Sequence, residues 1–126
     1  MKRSVLYLDD EDVHLNLFRE TFGVEYDVRT AATAAEARRL LAEHPADIII
    51  SDQTMPGLLG TDFLREVAEV YPVSYRVLLT GSVPLVSVIP EVGSGLIHLF
   101  VGKPWTEAAM RAILERAAAH FDAGGR

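Results

Sequence analysis

Two short apolar runs in this chain each end in aspartate, and no other feature limits the fold as strongly. Val5-Leu6-Tyr7-Leu8 leads into Asp9-Asp10, and Asp47-Ile48-Ile49-Ile50-Ser51 leads into Asp52. Unbroken runs of this length read as strands covered on both faces by helices. In an open parallel sheet, ligands sit beyond the carboxyl ends of the strands, where the strand order reverses. Three carboxylates gathered there repel one another. At an effective dielectric near ~20, two of them at contact distance cost roughly 4 kcal/mol. A hard divalent cation relieves that cost, and Mg²⁺ suits an oxygen-only site of few carboxylates and several waters. Asp9, Asp10 and Asp52 therefore read as a metal site, with Asp52 a nucleophile beside it.

Five apolar runs alternate with helical periodicity, the pattern of a doubly wound α/β unit. The expected strands are Ser4–Leu8, Tyr26–Ala31, Asp47–Ser51, Arg76–Thr80 and Ile97–Val101. A third helix near Thr61–Tyr71 places Phe63, Leu64, Val67 and Tyr71 on one face. A fifth, near Glu107–Phe121, does the same with Met110, Ile113, Leu114, Ala117 and Phe121. Thr33-Ala34-Ala35-Glu36 reads as a capping box opening the second helix. Met55-Pro56-Gly57-Leu58 fits a type II turn, with glycine taking positive φ. The fourth helix is the weak element. Pro84 fits a first turn, but Pro90 falls in the interior, where proline costs about 3 kcal/mol. With β-branched Val83, Val86, Val88 and Ile89 crowded around it, this helix is expected to be kinked, shortened or partly unwound. Residues 1–121 are expected to form one domain, and 122–126 a mobile tail or the start of a linker.

Composition narrows the function classes. A chain of 126 residues fits one domain, and an apolar share of 49% argues for a folded core. A net charge of −6 argues against direct nucleic-acid binding. There is no cysteine, so disulfides and thiolate chemistry are excluded. No run approaches the roughly 20 apolar residues of a membrane span, and Met1-Lys2-Arg3 leads directly into a strand. A cytoplasmic location without membrane contact is the expectation.

Two more residues join the acids. Thr80 ends Val77-Leu78-Leu79-Thr80-Gly81, and Lys103 follows Phe100-Val101-Gly102, so both are expected at the same crevice. A carboxylate that accepts a phosphoryl group needs a metal, a cation and a hydroxyl placed in advance around the phosphoryl oxygens. With these residues the chain resembles a response-regulator receiver domain, from Val5 to about Phe121. The resemblance rests on Leu8-Asp9-Asp10-Glu11, Asp52-Gln53-Thr54-Met55-Pro56-Gly57, Leu79-Thr80-Gly81 and Lys103-Pro104. Each motif alone is weak; four in order, each at a strand end, are specific.

The resemblance implies a flavodoxin-like α/β fold: a five-stranded parallel sheet of order 2-1-3-4-5 flanked by five helices. Asp52 would be the phosphoacceptor, taking its phosphoryl group from a sensor histidine kinase or phosphotransfer protein. Asp9 and Asp10 would hold Mg²⁺, Asp10 more directly, with Asp52 and the backbone carbonyl of Thr54. Lys103 would pair with Asp52 and then with the phosphoryl group, and Thr80 would move to bond it. Phe100 would turn inward with Thr80, acting by packing because it has no hydroxyl. The Lys103–Pro104 bond would be cis. A downstream protein or attached output domain would read the surface of the fourth helix, fifth strand and fifth helix. The apolar Val83, Val88 and Pro90 add a partner or homodimer contact there. Gln53 and Trp105 look like a subset joined to signalling enzymes or sensor kinases, and Thr54 and Ser82 occupy positions that influence acyl-phosphate lifetime.

Blander alternatives stand beside these. The single histidines His14, His44, His98 and His120 form no ligand spacing and read as surface residues. Trp105 is expected to pack over the core edge or anchor a partner. One competing function is a haloacid-dehalogenase-like phosphatase with Asp10 as nucleophile, because Asp10-Glu11-Asp12 follows an apolar strand. It lacks a later acidic pair and leaves Asp52 without purpose. Another is a receiver fold used as a binding module independent of phosphorylation.

Overall fold

The structure is a computed structural model that describes residues 2–81 and 95–124. Five strands run parallel in the order β2-β1-β3-β4-β5. They are β1 Ser4–Leu8, β2 Asp27–Ala31, β3 Ile48–Asp52, β4 Tyr75–Thr80 and β5 Leu99–Gly102. Among the described residues there are four helices: α1 Asp12–Phe22, α2 Ala34–Glu43, α3 Gly60–Val70 and α4 Glu107–Asp122. The fourth helix expected from the sequence, with Pro84 and Pro90, lies outside the described residues, so α4 here is the expected fifth.

The unbroken apolar runs have a simple cause: both faces of the sheet are dry. Successive strand residues point to opposite faces. Val5, Tyr7, Ile48, Ile50, Val77 and Leu79 join Phe18, Phe22, Met110 and Leu114 under α1 and α4. Leu6, Leu8, Ile49 and Leu78 join Ala37, Leu41, Phe63 and Leu64 under α2 and α3. The predicted faces of α3 and α4 are the buried ones, with Tyr71, Ile113 and Phe121 only half-buried.

Strand ends depart from expectation by one or two residues, each for a local reason. Tyr26 bonds back to the Phe22 carbonyl at 3.0 Å, so β2 opens at Asp27. Gln53 N–H donates to the Leu79 carbonyl at 2.9 Å, which carries β3 through Asp52 itself. Lys103 N–H donates to the Thr80 carbonyl at 2.9 Å and shifts β5 toward its C-terminal end. β4 opens one residue early, at Tyr75, and α3 is displaced by one residue to Gly60–Val70. α4 runs through Asp122, one residue past the helix end expected at Phe121.

The capping box on α2 is present with one change. Thr33 Oγ1 accepts from Glu36 N–H at 3.1 Å, while the Glu36 carboxylate takes the Ala32 N–H, one residue earlier than the motif specifies. Gly57 has φ +83°, as the turn requires. Gly60 is held more tightly. Its N–H donates to the Gln53 carbonyl, and a Cβ there would lie 2.2 Å from the Asp52 carbonyl oxygen. The first turn of α3 thus rests directly on the tip of β3. Gln53 strengthens the joint, since its buried Oε1 accepts from Thr61 N–H at 2.8 Å. Its neighbourhood explains Gln53 as a helix-capping residue.

The histidines are not surface residues as a group. His44 is exposed, but His14, His98 and His120 are half-buried. His98 stacks on Tyr75 at 4.5 Å between ring centroids, and its Nδ1 accepts from Arg76 N–H at 3.0 Å. Burial first, then the charges of Arg76 and His120, pull the His98 pKa down to about 4. Arg76 itself is buried on β4 and donates to the carbonyls of Ser74, Gly95 and Leu96, tying the loop before β4 to the segment before β5.

This packing makes two outcomes measurable. Gly60→Ala is expected to lower stability by about 1–3 kcal/mol, read as a lower urea midpoint, because the clashing atom is backbone and cannot turn aside. An unfolded imidazole takes its proton near 6.5 and the folded His98 only near 4, so below 6.5 the unfolded chain binds more protons. Stability should therefore fall as pH drops from about 6.5 to about 4, more steeply in the wild type than in His98→Phe.

Candidate functional site

The order reversal falls between β1 and β3, and the register Leu8↔Ser51 sets Asp9 beside Asp52 just beyond it. Asp9 is fully buried and Asp52 is 3% exposed, whereas Asp10 faces solvent. Carboxylate oxygens from Asp9, Asp10 and Asp52 lie within 4.8 Å of one another. Lys103 Nζ stands 2.9 Å from Asp52 Oδ2, 3.6 Å from Asp9 Oδ2 and 3.7 Å from Glu11 Oε1. The Lys103–Pro104 bond is cis. Asp10, Glu11, Asp52, Thr54, Gly81 and Lys103 line an open cavity of about 300 Å³.

The remaining predicted residues are placed unequally. Thr54 is in the cavity wall, and its N–H donates to Asp52 Oδ1 at 3.4 Å. Thr80 is half-buried at the end of β4, paired with Gly102; its neighbour Gly81, not Thr80, lines the cavity. Phe100 is half-buried and packs with the core beneath α2 and α3. Ser82 lies outside the described residues.

Burial dominates the electrostatics. It pushes the Asp52 carboxyl above the usual carboxylate range, Lys103 opposing and the charge of Asp9 adding to the rise. For Lys103, burial acts to lower its pKa, yet the bond to Asp52 and the charges of Asp9, Asp52 and Glu11 leave it raised overall. One ammonium is thus shared among three acids, and negative charge remains in excess. An oxygen-only donor set in that state fits a hard cation such as Mg²⁺, and Asp9, Asp10 and Asp52 are the residues that could hold it.

Four neighbours stand around Asp9 that have no place in the site expected from the sequence: Tyr7 is not singled out there, Glu11 enters only within a motif, and His14 and Trp105 are expected as surface and packing residues. Tyr7 lies two residues before Asp9; its hydroxyl donates to Asp9 Oδ2 at 2.8 Å and accepts from Trp105 Nε1 at 3.2 Å. Trp105 does pack over the core edge, against Phe18 and Phe22. Glu11 donates its N–H to Asp9 Oδ1 at 3.0 Å, and His14 Nδ1 lies 3.2 Å from Asp9 Oδ2. Glu11 and His14 are three apart at the start of α1, so helical spacing was the available signal.

The family profile of the response regulator receiver domain matches residues 5–115. The chain belongs to that family. Receiver domains of response regulators are signalling modules of two-component systems. This receiver domain is 38% identical over 102 residues to the hydrogenase transcriptional regulatory protein HoxA of Cupriavidus necator, covering 81% of this chain and 21% of that protein. It is 25% identical over 123 residues to the DNA-binding transcriptional regulator NtrC of Escherichia coli, covering 96% of this chain and 26% of that protein. The chain thus spans about a fifth to a quarter of these relatives' length. A crystal structure of a response regulator receiver domain protein from Clostridium thermocellum superposes with a TM-score of 0.87 at 27% identity, covering 95% of this chain and 97% of that one. Among the described residues, no helix is long and apolar enough to cross a membrane.

The opposing effects on Asp52 make a test. Lys103→Met should move the Asp52 carboxyl pKa still higher, as followed by ¹³C carboxyl NMR against pH. An unmoved or lowered value would contradict the pairing.

Proposed function

We propose that this receiver domain accepts a phosphoryl group on Asp52 from the phosphohistidine of a sensor kinase or phosphotransfer protein. The observation that carries this is the state of Asp52: a buried carboxylate at the order reversal, 2.9 Å from Lys103 Nζ, opening onto a cavity walled by Asp10, Thr54 and Lys103. An Asp52 oxygen attacks phosphorus, the bond from phosphorus to the donor imidazole nitrogen breaks, and an acyl phosphate forms. Lys103 holds the carboxylate in place and afterwards pairs with a phosphoryl oxygen. Thr54 N–H steadies the second carboxylate oxygen. The Thr80 hydroxyl, one residue from the cavity wall, swings to meet the phosphoryl group, and Phe100 repacks behind it. Asp9, Asp10, Asp52 and the Thr54 carbonyl would hold Mg²⁺, whose charge would neutralise the crowded oxygens when it is bound.

The phosphatase alternative places its nucleophile at Asp10, which is exposed, whereas the lysine-paired acid is Asp52. A phosphorylation-independent binding module would leave this paired and buried carboxylate without a role. The output surface is proposed at β5 and α4 with the preceding segment, contacting a downstream protein, an attached output domain or a second copy. The relatives' names as transcriptional regulators support an output in gene control through other parts of such proteins.

Incubation with Mg²⁺ and a small-molecule phosphodonor should add one phosphoryl group to the wild type and none to Asp52→Asn, by intact mass. Labelling that survives in the variant would overturn the assignment.

A further inference from the structure

The acidic pocket has an unusual neighbour in His14. Its imidazole flanks the buried carboxylate, with Nδ1 3.2 Å from Asp9 Oδ2 and Nε2 3.8 Å from Glu11 Oε2. Ligand atoms of Asp9, Glu11 and His14 all lie within 4.8 Å of one another. Metal–nitrogen and metal–oxygen bonds of about 2.0–2.1 Å at tetrahedral angles put neighbouring ligands about 3.3 Å apart, close to the His14–Asp9 separation.

We propose that Asp9, Glu11 and His14 form a second divalent-cation site, which takes a borderline ion such as Zn²⁺ and shares Asp9 with the oxygen-only pocket. Imidazole favours Zn²⁺ or Ni²⁺, whereas the all-carboxylate set of Asp9, Asp10 and Asp52 favours Mg²⁺. The surroundings suit ligation. Asp9 is fully buried and receives the Tyr7 hydroxyl at 2.8 Å, the kind of outer bond that orients a ligating carboxylate. Glu11 is exposed, so its side chain can rotate onto an ion beside His14. Lys103 Nζ lies 3.6 Å from Asp9 Oδ2 and 3.7 Å from Glu11 Oε1, with its shortest contact, 2.9 Å, to Asp52, so it stands beside this site as it does beside the oxygen-only pocket. Because the two sites draw on one carboxylate, an ion at His14 competes with the Mg²⁺ pocket. The proposal goes beyond phosphoryl transfer and does not require Asp52 to be an acceptor.

The test pairs calorimetric titration of Zn²⁺ and Mg²⁺ with imidazole ¹⁵N NMR on the whole chain. Zn²⁺ should shift the His14 ring nitrogens, and Mg²⁺ should leave them in place. His14→Leu should weaken Zn²⁺ about tenfold or more while Mg²⁺ changes by less than about threefold, and Glu11→Gln, in the wall both sites share, should weaken Zn²⁺ severalfold more than Mg²⁺. Glu11 is exposed, so its variant keeps the test open even if the helix variant misfolds. Asp10→Asn should do the opposite, weakening Mg²⁺ and sparing Zn²⁺. Shifts confined to His44, His98 or His120, equal losses for both ions, or unchanged Zn²⁺ binding in the His14 and Glu11 variants would overturn the site. Phosphoryl labelling of Asp52 without Zn²⁺ is read separately, so failure of either idea leaves the other intact.

Discussion

Mutual repulsion between two nearly dry carboxylates, Asp9 and Asp52, is the constraint on which the rest of this domain depends. The register Leu8↔Ser51 leaves them no room to separate, and burial denies them water. Lys103 answers both, at 3.6 and 2.9 Å, and it arrives from the far edge strand. Backbone N–H groups of Glu11 and Thr54 and the hydroxyl of Tyr7 supply the remaining dipoles. Removing one member of such a set leaves a buried charge uncompensated, which is why buried ion clusters hold their geometry so strictly. A site built this way is poor in stability and rich in chemistry. Its excess negative charge is what the proposed cation and phosphoryl chemistry would draw on.

The sheet meets that demand by being dry on both faces. Alternate residues of β1, β3 and β4 lock into separate cores under α1 with α4 and under α2 with α3. Neither face can slip by one residue without moving every side chain into the wrong core. The strand tips inherit this order, and the site consists of strand tips.

The central strands were legible because doubly covered strands need no polar alternation, and Asp9, Asp10, Asp52 and Lys103 were legible as charged residues at or just past strand ends. Edges were less so. β2 carries Asp27, Arg29 and Thr30, and its start was set by a turn bond that no periodicity encodes. His98 looked like an isolated polar residue because its partners Tyr75, Arg76 and His120 are distant in the chain. His14 hid for another reason: spacing rules for metal ligands seek several histidines, while its companions are carboxylates. Gln53 was legible as a family mark, but its capping of α3 depends on a loop returning to it seven to eight residues later. Phe100 shows the limit of motif position, since its place in the motif says nothing of the core that receives it.

The contact at Gly60 couples two things that a strand-and-loop description keeps apart. With no space for a methyl group between the helix and the Asp52 carbonyl, the peptide carrying the Asp52 side chain is braced by an eleven-residue cylinder. Any displacement of that peptide when charge arrives must tilt the cylinder as well. A change at the strand tip, such as the proposed phosphorylation, would therefore have a lever already attached, reaching the opposite end of α3 at Val70.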